Sequence, residues 1–305
     1  MDLVNHLEGR LLFAIPKKGR LQQAALDLIS GCDIQFRRET RLDIALVKNL
    51  PVALIFLPAA DIPTFVGEGR VDIGITGRDQ VAEHDASLAA GEVSGVTEVL
   101  DLGFGGCKLQ VQVPEKGDIV HSKQLVGKNV VTSFTSLATS FFSKLEGVSD
   151  RSQLETKIKF VGGSVEAACA LGVADGIVDL VESGETMRAA GLKAIDTVVE
   201  SNAVLVKSRN TTHELADLIT SRIRGVIVAQ KYVLCQYNIH REKLAVACAL
   251  TPGKRAPTVT ALEEENWVAV SAMVEKKKIA IVMDELIKSG AEDVLVLKIE
   301  NTRTE

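Results

Sequence analysis

The stretch from Ala174 to Leu192, ADGIVDLVESGETMRAAGL, concentrates residue types that can hold a sugar phosphate. An apolar run, Ile177 to Val181, leads into Glu182-Ser183-Gly184-Glu185-Thr186, and helical spacing begins at about Thr186. A strand turning tightly into a helix aims several backbone N–H groups at one point, with the positive helix end behind them. Gly184 removes the Cβ that would block close approach, and Ser183 and Thr186 add hydroxyl donors between the flanking acids Glu182 and Glu185. The same letters also suit a plain helix cap. Asp175 and Asp179 favour the ligand reading, because they bracket an apolar strand and an unpartnered buried carboxylate costs roughly several kcal/mol. Ribose hydroxyls, or a magnesium ion holding a diphosphate, would give them a purpose. An ion pair with Arg188 is the alternative for either one.

Other short runs have related chemistry. Lys17-Lys18-Gly19-Arg20 follows the first apolar run, and cations with a glycine at such a turn suit a diphosphate or triphosphate. A solvated turn has the same composition. Gly74-Ile75-Thr76-Gly77-Arg78-Asp79 reads as a strand end carrying a hydroxyl, a glycine and an acid. Thr132-Ser133 and Gly162-Gly163-Ser164 close two further strands with small polar residues, which often serve as helix caps but here converge on one expected sheet edge.

These turns need elements to position them. Short apolar runs at 11–16, 43–47, 52–58, 71–77, 107–114, 128–134, 157–163 and 174–181 alternate with helical segments such as 21–30, which stops at Gly31. That rhythm is an α/β sheet with helices on both faces. Gly69-Arg-Val-Asp72-Ile-Gly-Ile75 is echoed by Gly172-Val-Ala-Asp175-Gly-Ile-Val178, which suggests two lobes of similar topology around a ligand cleft. The first lobe is expected over 1–103, completed by 193–224 (including TVVESNAVLVKS), and the second over 104–192. From 225 the order helix or strand, helix, strand, strand, helix, strand gives a small βαββαβ unit over 225–305 with ferredoxin-like connectivity.

Composition excludes several classes. The net charge of −5 offers no basic face to nucleic acid or anionic membrane. No stretch approaches the ~20 apolar residues of a membrane helix, and MDLVNHLEGR is not a signal peptide, so a cytoplasmic protein is expected. Five scattered cysteines read as reduced thiols, and five scattered histidines argue against zinc. A solute receptor without catalysis would need an export signal. A transcription-factor effector domain would need a basic recognition helix.

The gapped pattern E-x5-G-x-A-x2-I-x-D-L-x2-S-G-x-T-M, from Glu166 to Met187, resembles the signature of the ATP phosphoribosyltransferase family, and the similarity extends over the whole chain in the long, fungal-type form. The resemblance implies a two-lobed, periplasmic-binding-protein-like catalytic core followed by a ferredoxin-like, ACT-like regulatory domain. It implies that the Ser183–Thr186 turn holds a 5′-phosphate, that Asp179 touches ribose hydroxyls, and that Lys18, Gly19 and Arg20 serve the nucleotide and diphosphate. Thr76, Gly77, Asp79, Thr132, Ser133 and Ser164 would line the nucleotide cleft. ATP and phosphoribosyl pyrophosphate would be the substrates, with Mg2+ carried mainly by the diphosphate. N1 of adenine would attack the anomeric carbon as diphosphate leaves. Histidine would inhibit through Asn238, Thr258, Met273 and Asp293, in a homo-oligomer ranging from dimer to hexamer. Two departures stand out: Asn238 replaces a common aspartate, and Leu57-Pro58-Ala59-Ala60-Asp61 carries Pro58 where an arginine is usual. Another phosphoribosyl enzyme would keep the same turn but lack the histidine-binding tail.

Overall fold

A computed structural model describes residues 6–38, 42–89 and 91–303; the first five residues of the stretch read for a leader lie outside it. The strands are β1 (Leu11–Pro16), β2 (Ile44–Leu46), β3 (Val52–Leu57), β4 (Ile73–Gly77), β5 (Val96–Asp101), β6 (Cys107–Pro114), β7 (Asn129–Thr132), β8 (Lys157–Phe160), β9 (Gly176–Val181), β10 (Leu192–Ser201), β11 (Ala203–Ser208), β12 (Tyr232–His240), β13 (Thr258–Ala261), β14 (Trp267–Glu275) and β15 (Glu292–Lys298). The helices are α1 (Gln22–Gly31), α2 (Ile62–Gly67), α3 (Arg78–Ser87), α4 (Thr135–Glu146), α5 (Ala167–Ala170), α6 (Glu185–Ala189), α7 (Leu215–Lys231), α8 (Leu244–Leu250) and α9 (Ile279–Lys288).

The chain divides into two compact units. One comprises the residues up to Leu26 together with Gln35–Ala216, and the other comprises Asp27–Ile34 and the chain from Asp217 onward. The first unit holds two sheets. One has the order β2-β3-β1-β4-β11-β5, with β1 parallel to β3 and β4, and the other has the order β10-β6-β9-β7-β8, with β7 parallel to β8 and β9. Their central strands are apolar on both faces, since helices cover both sides of a parallel core. Leu11, Phe13, Ala14 and Ile15 are fully buried, as are Ile177 and Val178.

The repeated aspartates have a structural explanation. Asp72 accepts from the Leu12 N–H at 2.8 Å while its own N–H donates to the Leu12 carbonyl at 3.0 Å. Asp175 does the same to Asn129, at 2.9 Å in both directions. Each aspartate pins the foot of one parallel strand to its neighbour. Asp175 therefore stands at the start of β9, about 20 Å by strand rise from the turn that follows Val181. That corrects its assignment to the phosphate or ribose: its carboxylate is used in fixing strand register.

The return crossing also differs from expectation. The stretch read as one path back to the first lobe is two strands. β10 pairs with β6 in the second sheet, and β11 pairs with β4 and β5 in the first, so the crossing falls at Asn202. The β-rich letters on either side of Ser201-Asn202 look alike, and only pairing partners separate them.

In the second unit, α7 runs to Lys231 and the ambiguous start of the tail resolves into helix, then β12. A fully antiparallel sheet, β13-β14-β12-β15, is formed by a βαββαβ chain, the ferredoxin-like order. Strict alternation along β12 buries Val233, Cys235, Tyr237 and Ile239, which form a core with Val268, Val270 and Leu286. The buried Tyr237 hydroxyl is paired with Thr251 at 2.7 Å. Trp267 packs edge-on against His240. All five cysteines are free thiols, and none is exposed.

Candidate functional site

The turn after β9 lines a hollow of about 250 Å³ bounded by residues 180–187. Gly184 caps α6 at φ +76°, a left-handed conformation that a side chain would strain. The first turn of a helix leaves its N–H groups without intrahelical partners. The Glu185 N–H donates to Ser183 Oγ at 3.3 Å, so that hydroxyl also serves as a local cap. α6 has only five residues, so oriented N–H donors, more than a long macrodipole, would attract an anion here. A cation lies across the turn: Arg188 donates from Nη2 to the Ser183 carbonyl at 3.2 Å. Arg188 is therefore occupied with the turn itself, and no ion pair joins it to Asp175 or Asp179 among the described residues.

Asp179 sits within β9, opposite Gln110 of β6. It shares its sheet face with Ile177, whose neighbours include Val131, Val165 and Ala168. Burial pushes its carboxyl up to about 6, opposed by a hydrogen bond from the Leu180 N–H and reinforced by the negative charge of Glu166. Among the described residues, the carboxylate's one hydrogen bond is that 2.9 Å contact with the adjacent amide. A half-desolvated carboxylate, short of donors and one turn from a phosphate-sized hollow, has the chemistry wanted for paired hydroxyls.

Arg20 occupies the gap between the lobes. It donates to Asp79 Oδ1 at 3.3 Å and to the Gly105 carbonyl, and its Nε lies 3.6 Å from Glu182 of the second lobe. Asp79, with its side chain 1% exposed, also accepts from Ser201 Oγ and from Gln80. This corrects the expectation for Asp79: it orients Arg20 and has no surface left for a ligand. Gly77 makes this possible, because a Cβ there would lie 2.2 Å from the Asp79 carboxylate oxygen.

Thr76 and Thr132 are corrected likewise. Both are fully buried. The Thr76 hydroxyl donates to the Ala59 carbonyl at 2.7 Å, which fixes the 58–61 turn, and Thr132 donates to Val178 while accepting from the Phe134 N–H. Buried hydroxyls are committed inward, where leaving them unpaired would cost ~1–3 kcal/mol. Half-buried Ser133 follows the end of β7, and exposed Ser164 adopts φ +51°. Lys18 and Gly19 are exposed on the turn after β1, and Lys17 pairs with Asp43 at 2.7 Å. Pro58, in the position of the usual arginine, brings no cation.

Beside Arg20, a second hollow of about 380 Å³ is lined by Arg78, Cys107, Lys108, Glu182, Ser201 and Asn202, among others. Arg78 is held there by Glu98 and Asp101. The sequence contained no signal for Ser201, which is 122 residues from the carboxylate it bonds. Glu166 had one, as the first letter of the gapped pattern.

In the second unit the four expected effector residues do not converge within one chain. The Asn238 amide donates to Asp293 at 3.1 Å, and Asp293 adopts φ +50°. Met273 lies opposite Leu234, four residues along β12 from Asn238, or about 13 Å. Thr258 opens the exposed edge strand β13. Met273 is thus within a strand and not at its end.

Residues 58–225 match the family model described as ATP phosphoribosyltransferase, and 229–301 match that of its C-terminal domain. The chain is 63% identical to an ATP phosphoribosyltransferase of Yarrowia lipolytica, covering 99% of this chain and all of that protein. It is 60% identical to one from Schizosaccharomyces pombe, with the same coverage. A solved ATP phosphoribosyl transferase (HisG:HisZ) complex from Thermotoga maritima shares the fold, with a TM-score of 0.56 and 22% identity over 69% of this chain and 94% of that one.

Proposed function

Since the chain belongs to the ATP phosphoribosyltransferase family, we propose that its two-lobed unit joins ATP to 5-phosphoribosyl 1-pyrophosphate with the 5′-phosphate seated at Ser183–Thr186. The product is N1-(5-phosphoribosyl)-ATP, with release of diphosphate, at the first step of histidine biosynthesis. The single observation that supports the seat is the left-handed Gly184 turn bordering a hollow of about 250 Å³ at the end of β9.

N1 of adenine attacks the anomeric carbon as the bond to diphosphate breaks, and positive charge grows on the ribose. N1 carries no proton in the reactant, so the residues need to position two anions and stabilise charge, without a general base. Asp179, as a carboxylate, accepts from the ribose hydroxyls and lies near the developing charge. Arg20, steered by Asp79 and Gly105, and exposed Lys18 face the diphosphate. No cluster of three His, Cys, Asp or Glu side chains is placed to hold a metal among the described residues. Magnesium would be brought in on the diphosphate, where it would supply charge neutralisation.

The tail is read as the histidine-sensing domain, supported by the C-terminal family match and the Asn238–Asp293 pair. Since the four residues are dispersed in one chain, the effector pocket is assigned to the seam between copies, in an assembly from dimer to hexamer. A cytoplasmic location belongs to the same reading; no helix among the described residues is long and apolar enough to cross a membrane.

Purified protein given ATP, phosphoribosyl pyrophosphate and magnesium is expected to develop the near-ultraviolet absorbance of an N1-substituted adenine. No new absorbance with both substrates present would reject the assignment. In the tail, Asp293→Ala is expected to raise the histidine concentration for half-inhibition at least tenfold while kcat holds. Unaltered inhibition would remove the Asn238–Asp293 end of the sheet from the effector site.

A further inference from the structure

The N-terminus of α4 belongs to the second lobe, yet its cap comes from the first. Phe134 holds the N-cap position and offers no side-chain hydrogen bond. The Ser136 N–H donates to Glu83 Oε1 at 2.7 Å, and the Leu137 N–H donates to Glu83 Oε2 at 2.8 Å. Glu83 lies on α3, so each carboxylate oxygen takes one orphan helix amide from across the lobe boundary. A carboxylate at a helix N-terminus is favoured both by hydrogen bonding and by the dipole of a twelve-residue helix. One turn further along α3, the Ala86 carbonyl accepts from Arg151 of the second lobe at 2.7 Å. The covalent connections lie elsewhere, in the crossing between β5 and β6 and at Asn202.

We propose that Glu83 is a positioning residue that clamps the two lobes and sets the width of the substrate cleft. α3 starts directly after Gly77 and contains Asp79, which steers Arg20, whereas α4 starts at Thr135, two residues after Ser133. Joining the two helices through Glu83 ties the diphosphate side of the cleft to the phosphoribosyl side. Two chain crossings alone would leave a hinge. Glu83, together with the Arg151–Ala86 and Arg20–Glu182 contacts, removes much of its freedom, so the cleft is held near its working width before substrate arrives. The same contact fills the amide donors of α4 with a carboxylate, leaving substrate phosphate to the Gly184 turn. This rests on the reading that both substrates occupy the cleft between these lobes.

The test compares the full-length protein with Glu83→Ala and Glu83→Gln. In the ligand-free protein, Glu83→Ala is expected to speed hydrogen exchange at the Ser136 and Leu137 amides at least tenfold, a readout independent of activity. It is also expected to raise KM for ATP and for phosphoribosyl pyrophosphate together, by about tenfold each, with a smaller change in kcat. Glu83→Gln keeps the length and one acceptor, so intermediate shifts in both constants are expected, and it serves alone if the alanine form does not fold. A purely structural role would lower the folded fraction and Vmax but leave both KM values in place, and that result overturns the clamp. So does a change confined to one substrate, or unaltered exchange at the two amides. Should exchange speed up while neither substrate is turned over even by the parent protein, the functional reading fails and the cross-lobe fastening stands.

Discussion

Gly184→Val is expected to raise the KM for phosphoribosyl pyrophosphate by about two orders of magnitude while the KM for ATP moves little. At φ +76° the backbone conformation costs a β-branched residue about 1–2 kcal/mol or more. A Cβ built there would also lie 2.7 Å from Arg188 Nη1, which would displace the guanidinium from the turn. The chain relieves the backbone strain by turning Gly184 out of the left-handed region, and that swings the following amides away from the hollow. Losing two charge-assisted donors to a phosphate, at roughly 1.5 kcal/mol each, corresponds to about a hundredfold. Steady-state kinetics with each substrate varied in turn measure the split. An unchanged KM for phosphoribosyl pyrophosphate would take the turn out of the site.

Asp179→Asn carries the second large expectation, because it should move stability and activity in opposite directions. Burial raises this carboxyl to about 6 from the ordinary 3.8 of an aspartate. A group whose folded pKa lies above its unfolded value stabilises most when protonated, and that contribution is lost as pH rises through the folded pKa. At pH 8 the native protein therefore bears the cost of a desolvated charge, about 1–2 kcal/mol after allowance for partial exposure. The asparagine variant lacks that cost. Its melting temperature is expected to exceed that of the parent at pH 8, with the difference closing towards pH 4. Its kcat should fall by at least a hundredfold, since a neutral amide stabilises neither the ribose hydroxyls nor the growing positive charge. In the parent, kcat/KM for phosphoribosyl pyrophosphate should decline below about pH 6, as the free protein's Asp179 takes up a proton. Equal melting temperatures at pH 8, with activity retained, would make Asp179 an ordinary strand residue.

The candidate site was legible in the sequence to the extent that backbone chemistry is local. Gly184 was marked by its neighbours, since a glycine between a buried strand and a helix start serves either as a cap or as a close approach for a ligand. Asp179 stood out as a charge inside an apolar run. Side chains whose partners lie far along the chain were misread. Asp175, Thr76, Thr132 and Asp79 are polar residues near glycines, as ligand contacts often are, but each is satisfied inside the protein by Asn129, Ala59, Val178 and Ser201 respectively. The cap on α4 was invisible for the same reason, because Glu83 is 53 residues from the first amide it binds.

By itself the sequence determined the α/β order, the ferredoxin-like tail and the glycine turn between β9 and α6. All of these follow from periodicity and from local conformational limits such as the one at Gly184. Tertiary structure alone decided which sheet β10 joins, which carboxylates are consumed as fasteners, and which remain for a ligand. A hydrogen-bonding group has a fixed capacity, and whether that capacity is already filled depends on residues brought beside it by folding.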